Sequence, residues 1–442
     1  MQAKPKSPQM ELFKTSLKKI INHKHPLCIL GEKIEWPEFD NAFGPLYCEG
    51  TCPTTFRREG RPGKPTRLMV GLHYLKHTYN LSDEEVVSQW LENPYWQYFC
   101  GNEYFEHGFP IDASLMTRWR QRVSEAGMEK LLEETIKAGL EIGALKKTSM
   151  NKLNVDTTVQ EKAISFPIDA NLYHRMREKL VDMSKGYGIK LRQSYKFKSK
   201  YSLFMRGRYS HARQMRRSNK ELRRLRTYLG RVVRDIERKV VGSDELSDVF
   251  SEPLSLAQRI LNQRRQDKNK VYSIHAPEVE CISKGKAHKK YEFGCKVSVA
   301  ATSKECFILG MKAYHGNPYD GHTLEESITQ TERISGFKAN DIYVDRGYRG
   351  HNYTGEALVH IAGRGTKKLK ASVRKWLKRR SAIEAVIGHA KTDGRLGRNY
   401  LHGREGDNIN AILSGCGYNM RKLLTVLLFC LFSWRQRLFS AS

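Results

Sequence analysis

Apolar residues recur at helical spacing through the early part of the chain. Residues 67–79 carry apolar positions three and four apart, which predicts a helix. A second helix is predicted to begin at Ser82, a good N-cap, where Glu85 completes a capping box. These short helices and the tight turns between them predict a helical domain over residues 57–145. Residues 1–56 show little helical or strand pattern and are treated as an N-terminal segment.

The last predicted helix of this domain begins near Asp112 and is basic. It carries Arg118, Trp119, Arg120 and Arg122. A basic last helix after short helices and tight turns is typical of a helix-turn-helix module that binds DNA. From the pattern alone, an ordinary helical bundle with a basic face remains an open alternative.

From residue 146 onward the pattern alternates between strands and helices, which predicts an α/β domain over residues 146–442. The first predicted strand ends on Asp156 and the last ends on Asp345, before a turn at Gly347. The stretch at about 170–270 is helical and interrupts the domain as an insertion after its first strand. The predicted elements are strands over 152–158, 291–302 and 306–314, a helix over 323–334 and a strand over 341–345.

A further predicted helix places Arg380, Glu384 and Lys391 on one face, because they lie at positions i, i+4 and i+11. On an arbitrary helix these residues would form exposed ion pairs. The alternative is that Glu384 holds a metal ion while the two cations hold phosphates. The two aspartates at strand ends favour this alternative, since Mg²⁺ prefers carboxylate oxygens and acids on neighbouring elements can meet.

Other polar residues compete for these roles. Asp341 opens its strand, which favours capping or solvent exposure. Asp320 lies in a Gly/Pro loop beside His322, which favours a turn former. Asp393 is predicted to end or cap the helix that carries the glutamate. His389 could orient a phosphate or could be a packing histidine with its hydrogen bonds satisfied.

The charge of the chain indicates a polyanionic partner. The formal net charge is +30 and the pI is about 9.7, which favours nucleic acid over the rival, an anionic membrane surface. Residues 171–240 hold 22 Lys and Arg against 5 Asp and Glu, a local net charge of +17 with interleaved aromatic residues. DNA contact is predicted at Arg216, Arg217, Arg223 and Arg224. The alternative is a solvated helical hairpin whose aromatic residues form its own core.

Together these motifs resemble the DDE transposases of bacterial insertion sequences, most closely insertion-sequence family five. The signature around the catalytic Glu is Tyr, two residues, Arg, three residues, Glu, six residues and Lys. Arg380, Glu384 and Lys391 match its last three positions, while Leu377 stands at the Tyr position with Trp376 beside it. The resemblance runs over residues 57–424 and includes the motifs that begin at Asp156, Gly316, Asp345 and Gly406.

The resemblance implies a ribonuclease-H-like catalytic core in which Asp156, Asp345 and Glu384 are the catalytic residues and hold two Mg²⁺ ions, for which Mn²⁺ would substitute. Arg380 and Lys391 would contact the end of the element's DNA. The enzyme would bind terminal inverted repeats in double-stranded DNA, cleave both ends and join them to target DNA, as a homodimer in the synaptic complex.

The resemblance also favours DNA binding by the helical domain, with contacts from Arg118 and Arg120. Two other functions stay open: a catalytically inactive DNA-binding protein derived from a transposase, and a structure-specific nuclease. The three acids argue against the first, and the helical domain and the insertion argue against the second.

The apolar segments predict neither a membrane span nor a signal sequence. The longest apolar run, residues 423–432, is shorter than the roughly 18–20 residues that cross a bilayer, and a buried helix is expected there. The first 19 residues lack an apolar signal core, so a cytoplasmic, nucleoid-associated protein is expected.

Overall fold

The computed structural model describes residues 14–47, 63–264, 266–283, 290–363 and 369–439, with backbone alone from residue 432 onward. The helices before the first strand are α1 (Leu17–Ile20), α2 (Pro26–Lys33), α3 (Trp36–Phe43), α4 (Thr66–Thr78), α5 (Asp83–Glu92), α6 (Pro94–Phe99) and α7 (Ser114–Ile142). The later helices are α8 (Asp169–Gly186), α9 (Lys196–His211), α10 (Met215–Val240), α11 (Asp244–Asn262), α12 (Leu324–Ser335), α13 (Ala371–Arg379), α14 (Ala382–Asp393) and α15 (Gly403–Phe439). The strands are β1 (Lys152–Glu161), β2 (Glu280–Ile282), β3 (Glu292–Thr302), β4 (Ile308–Tyr314), β5 (Asp341–Val344) and β6 (Leu358–Ile361).

The chain divides into two compact units. One comprises Met1–Glu161 and Lys296–Ser442, and the other comprises Lys162–Cys295. The insertion predicted at 170–270 falls inside the second unit. The predicted helical domain and the parts of the predicted α/β domain outside the insertion lie in the same first unit, and the boundary near residue 145 stays a prediction. One hydrophobic cluster joins them, with members such as Met69, Leu131, Ile342 and Leu413.

The helices predicted at the start of the chain are present as α4, α5 and α7. The capping box of α5 is formed: the Ser82 hydroxyl accepts from the Glu85 amide at 3.1 Å, and the Glu85 carboxylate accepts from the Ser82 amide at 2.7 Å. A further helix, α6, opens at Pro94 directly after α5 and is capped by the Asn93 side chain. Pro at the first helical position loses no hydrogen bond, which explains why α6 can begin there.

A buried ion network holds α4, α5 and α7 together. The Arg120 guanidinium donates to both oxygens of Asp83 at 2.9 and 2.6 Å, and the Lys76 ammonium lies 2.7 Å from the same carboxylate. Burial alone would raise the pKa of the Asp83 carboxyl, but the hydrogen bond from Arg120 and the charges of Lys76 and Arg120 hold that pKa well below its usual value.

This network corrects the prediction that Arg120 contacts DNA. Only 3 % of its side chain is exposed, and its guanidinium is already paired with Asp83. A buried and paired cation is not available to a phosphate, so Arg120 has a structural role. Arg118, two residues earlier on α7, is exposed, and its contact with DNA stays a prediction.

The sheet brings two of the predicted acids together. Its strand order is β2-β3-β1-β5-β6, and β4 also pairs with β3. Strands β1 and β5 are parallel, with Lys152 opposite Asp341 and Asn154 opposite Tyr343. Continuing this register by two residues places Asp156 opposite Asp345. The strands and the helix predicted over 291–334 are present within two residues of their expected bounds, whereas the short strands β2 and β6 were not predicted.

Asp156 does not end its strand, as the sequence had suggested, but lies inside β1. The strand continues to Glu161 because its polar side chains are buried with partners. The Gln160 side chain donates to the Asp407 carbonyl at 3.0 Å and accepts from the Asn410 side chain at 2.9 Å. Asp345 follows the last residue of β5 directly, as predicted.

The long C-terminal helix α15 ties the first unit together. Asn419 on α15 exchanges two hydrogen bonds with the backbone of Ile308, at 3.0 and 2.8 Å. The Arg421 guanidinium donates to the carbonyls of His77 and Thr78 at the end of α4 and to that of Asp393 at the end of α14. Helix α14, which carries Glu384, is thereby fixed against the N-terminal helices.

The apolar run at 423–432 lies within α15 and is buried on one face only. Leu423 and Leu427 are buried, whereas Leu428 and Phe429 are exposed. Among the described residues, no helix combines the length and the apolar character that a membrane span requires.

The second unit is a helical assembly with its own core. Helices α8, α10 and α11 pack together through buried side chains such as Met176, Leu180, Leu229, Ile236 and Phe250. Helix α9 packs along α10 but buries only Ser199 and Ser202. Most of the surface of α9 therefore faces solvent.

Replacing Asp83 by alanine tests the buried network. The Asp83→Ala protein is expected to lose about 3–5 kcal/mol of unfolding free energy, because Arg120 and Lys76 would remain buried without their counter-charge. The exposed neighbour Glu84 provides the control, and Glu84→Gln should cost less than about 1 kcal/mol. Urea denaturation of both variants checks the difference, and equal stabilities would contradict the structural role assigned to Arg120.

Candidate active site and basic surface

Three aspartates surround the buried phenol of Tyr348. Asp345 begins a short 3₁₀ turn and accepts from the Gly347 amide at 2.8 Å. A β-carbon at Gly347 would lie 3.0 Å from one oxygen of Asp345 and 3.4 Å from one of Asp320, so this glycine leaves room for both carboxylates. Burial raises the pKa of Tyr348 well above its usual value, and the charges of Asp156, Asp320 and Asp345 raise it further.

Asp320 has more partners than the turn predicted for it would need. It does open a 3₁₀ turn, in which the Thr323 hydroxyl donates to its carbonyl at 2.7 Å. Its side chain, however, accepts from the Thr157 hydroxyl at 2.8 Å and from the Lys296 ammonium at 2.9 Å. Sequence reasoning missed this role, and the only available signal was the motif around Asp320 that the resemblance had marked.

Arg380 connects Asp156 to Glu384. One terminal nitrogen of its guanidinium lies 3.8 Å from an Asp156 oxygen, and the other lies 3.9 Å from a Glu384 oxygen. The helix predicted to carry both residues is interrupted, since α13 ends at Arg379 and α14 begins at Ala382. Arg380 and Ser381 nevertheless keep right-handed helical backbone angles, so the predicted i, i+4 spacing is preserved. The Glu384 side chain is 69 % exposed and lies at the outer edge of the cluster.

The donor chemistry of this cluster fits a hard divalent cation. Asp156, Asp345 and Glu384 offer only carboxylate oxygens, the ligands that Mg²⁺ prefers. Within the ranges that the structure describes, no three acidic, histidine or cysteine side chains are grouped closely enough to hold one metal ion as they stand. The positive charge between Asp156 and Glu384 is supplied in this arrangement by Arg380.

The other polar residues considered for the site lie in different environments. Lys391 is half-buried and lies on the same helix as Glu384. His389 is exposed, and its ring is 2.9 Å from the Asp393 carboxylate, so of the two alternatives the packing histidine is excluded. Asp393 ends α14, as predicted. Asp341 opens β5 and lies 2.7 Å from the His360 ring, which agrees with a structural role.

Leu377 stands where the family signature has Tyr, and its burial is compatible with an apolar residue at this position. Leu377 is buried on α13, where a Tyr hydroxyl would need a partner. The neighbouring Trp376 ring lies 5.5 Å from the Lys152 ammonium, in cation–π geometry.

The second unit presents a basic surface on α9 and α10. The four arginines predicted to bind DNA, Arg216, Arg217, Arg223 and Arg224, are all exposed on α10, although Arg224 also pairs with Glu221 at 2.7 Å. On α9 the side chains of Phe197, Tyr201 and Phe204 are 81 %, 61 % and 62 % exposed. Exposed rings among cations are typical of a surface on which bases can stack.

The aromatic residues of this region divide into a stacked pair and a set of exposed rings, and contact of the exposed rings with DNA stays a prediction. Tyr195 and Tyr228 stack on each other at 4.8 Å between ring centroids, as expected for a hairpin with its own core. The three exposed rings of α9 do not contribute to that core and remain available to a ligand.

Comparison with known proteins identifies two transposase-related regions. Residues 15–122 match the family model of a transposase domain (DUF772), and residues 259–420 match that of a transposase DDE domain. The second match includes Asp345 and Glu384, whereas Asp156 lies before it. A Rhizobium meliloti protein called uncharacterized protein ORF8 in nfe locus is 49 % identical over 212 residues, which is 48 % of this chain and 98 % of that protein. No solved structure matches the chain.

Proposed function

The chain belongs to the DDE transposases, and we propose that it binds the terminal inverted repeats of an insertion sequence, cleaves both ends and joins them to target DNA. The observation that carries this proposal is the parallel pairing of β1 with β5, observed up to Asn154 opposite Tyr343, because continuing that register by two residues brings Asp156 and Asp345 to the same edge of the pair. Enzymes of this family generally use divalent metal ions. Asp156 in β1, Asp345 directly after β5, and Glu384 on a helix linked to Asp156 by Arg380 would provide the ligands for such ions.

Asp156, Asp345 and Glu384 are proposed as the catalytic residues and as ligands of two Mg²⁺ ions, for which Mn²⁺ would substitute. Ions bound there would activate a water molecule and stabilise the leaving oxygen of the phosphodiester. The protein orients the two aspartates through backbone amides: Thr157 donates to Asp156 at 2.7 Å and Gly347 donates to Asp345 at 2.8 Å. Glu384 is exposed, so its side chain can turn toward the site when DNA and metal bind.

Arg380 and Lys391 are proposed to hold the phosphates at the end of the element. A guanidinium offers a planar fork that matches two phosphate oxygens, and an ammonium offers a mobile point charge. The Arg380 guanidinium already lies beside two of the proposed metal ligands, where the scissile phosphate would have to be. Its side chain is 15 % exposed.

Two further surfaces are proposed to bind the DNA duplex away from the reaction. The basic surface of α9 and α10 provides the four exposed arginines and the three exposed aromatic rings. In the other unit, the exposed Arg118 on α7 is proposed to contact the repeat. Phosphate contacts of this kind supply affinity and register, and they make binding dependent on salt.

The finer assignments belong to the same proposal. The strand order β2-β3-β1-β5-β6, with β4 also paired to β3, β1 parallel to β5 and acids near the ends of that pair, supports a ribonuclease-H-like core. Insertion-sequence family five, a homodimer in the synaptic complex and action on nucleoid DNA in the cytoplasm are proposed from the resemblance alone. A plain nuclease would need neither the basic insertion nor the N-terminal helices, and no observation favours an inactive protein.

Loss of any one catalytic acid is expected to abolish cleavage. Asp156→Asn, Asp345→Asn and Glu384→Gln should each stop Mg²⁺-dependent cutting of the element's ends and leave end binding largely intact, since the amides keep the shape but not the charge. Asp341→Asn on β5 and Asp393→Asn on α14 are matched controls that should cut normally. Cleavage of labelled end DNA checks this, and near-normal cutting by one of the three variants would remove that residue from the site.

Arg380 is expected to need its planar geometry as well as its charge. Arg380→Ala should slow end cleavage more than about tenfold with little change in general DNA affinity, because a lost charge-assisted contact costs about 1.5–3 kcal/mol. Arg380→Lys should remain defective. Lys378→Ala, at an exposed cation on α13, should cleave bound DNA at the normal rate. Full activity in a stable Arg380→Ala protein would show that Arg380 is only an ion-pair partner.

The basic surface is expected to govern the salt dependence of DNA binding. Changing its four arginines on α10 together to glutamine should lower the slope of log K against log salt by up to about 3.6, at about 0.9 for each lost phosphate contact. The fourfold Arg→Lys variant keeps the charge and should keep the slope. Fluorescence anisotropy at several salt concentrations measures both, and an unchanged slope in the glutamine variant would mean that this face does not touch DNA.

A further inference from the structure

Thr157 makes two contacts that join a proposed metal ligand to another carboxylate. Its backbone amide donates to Asp156 at 2.7 Å, and its hydroxyl donates to Asp320 at 2.8 Å. The side chain is buried in β1, so its rotamer is restricted by packing. The position of Asp156 is therefore coupled to that of Asp320, which lies 163 residues away along the chain.

Lys296 fixes Asp320 in turn. Only 7 % of the lysine side chain is exposed, and its ammonium is 2.9 Å from the Asp320 oxygen that also accepts from Thr157. A second hydrogen bond runs from the ammonium to the Pro318 carbonyl. A buried ammonium is stable only with a counter-charge and with its protons used in hydrogen bonds. Because Lys296 lies on β3, next to β1 in the sheet, Asp320 is held by the sheet as well as by its own loop.

The second oxygen of Asp320 faces the other aspartate of the site. It is within 3.4 Å of the point where a β-carbon at Gly347 would stand, and an Asp345 oxygen is within 3.0 Å of the same point. Asp320 thus lies beside Asp345 and is hydrogen-bonded to Thr157, the residue after Asp156. An ordinary turn former would need neither contact.

We infer that Lys296, Asp320 and Thr157 form a supporting chain that positions Asp156 to bind a divalent cation. All three are positioning residues, since they act through Asp156 rather than on the DNA. Groups that hydrogen-bond to metal ligands fix their orientation, and their loss typically lowers metal affinity by about 10–100-fold. The inference rests on the proposed function, because it takes Asp156 as a metal ligand.

The test compares two substitutions of Thr157, one that removes the hydroxyl and one that keeps it. Thr157→Val keeps the shape but cannot donate to Asp320, whereas Thr157→Ser keeps the donor. Mn²⁺ binding to the full chain without DNA is measured by isothermal titration calorimetry, together with the Mg²⁺ concentration that gives half-maximal cleavage. Thr157→Val should bind Mn²⁺ at least about tenfold more weakly and need correspondingly more Mg²⁺, and Thr157→Ser should stay within about threefold of the unmodified protein.

Asp156→Asn separates the two hypotheses in the same titration. If Asp156→Asn and Thr157→Val both leave Mn²⁺ binding unchanged, the proposed metal site is wrong. If only Asp156→Asn weakens binding, the metal site stands and the supporting chain is refuted. A loss that Thr157→Ser does not restore would likewise refute it, since the hydroxyl would not be responsible.

Asp320→Asn provides a second route if Thr157→Val does not fold. It keeps the shape of the side chain and removes the charge that pairs with Lys296. Thermal melts of every variant identify those that are folded at the assay temperature. A folded Asp320→Asn protein should also bind Mn²⁺ at least about tenfold more weakly, and unchanged binding would overturn the inference.

Discussion

The parallel pairing of β1 with β5 is the constraint on which the site depends. Continuing its register by two residues brings Asp156 and Asp345 to the same edge of the pair, although like charges at close range repel. The structure offsets this repulsion locally: each carboxylate accepts from a backbone amide, and Arg380 lies between Asp156 and Glu384. An acidic cluster maintained in this way favours a bound cation, because any positive charge that enters relieves the remaining repulsion.

The third acid depends on the helices, which gives the N-terminal region a part in the geometry of the site. Glu384 lies on α14, and the carbonyl at the end of α14 accepts from Arg421, which also binds the end of α4. Helix α15, which carries Arg421, is itself joined to β4 through Asn419. The N-terminal helices and the strands therefore form one unit, whereas the basic helices of the insertion form a separate core of their own.

Local signals predicted the elements, and contacts distant in sequence decided the roles of several residues. Helical periodicity and the capping box were enough for α4 and α5, and the spacing of Arg380 and Glu384 survived an interruption between two helices. The burial of Arg120 could not be foreseen, because its partner Asp83 lies 37 residues away. The sequence of a basic helix does not show whether its arginines are exposed to solvent or paired with buried acids. Asp320 was assigned to a turn for the same reason, since its partner Thr157 is far away in sequence. The sequence pattern also predicted too early an end for β1. The strand continues because the polar side chain of Gln160 has buried partners, Asp407 and Asn410, on α15.

A crystal structure with end DNA and Mn²⁺, with the metal located by its anomalous scattering, tests the central claim most directly. The account predicts a manganese peak bound by oxygens of Asp156 and Asp345, with Glu384 turned toward the metal site and the Arg380 guanidinium moved onto a DNA phosphate. Manganese bound to other residues, or Arg380 still lying between Asp156 and Glu384 in the presence of DNA and saturating metal, would contradict it.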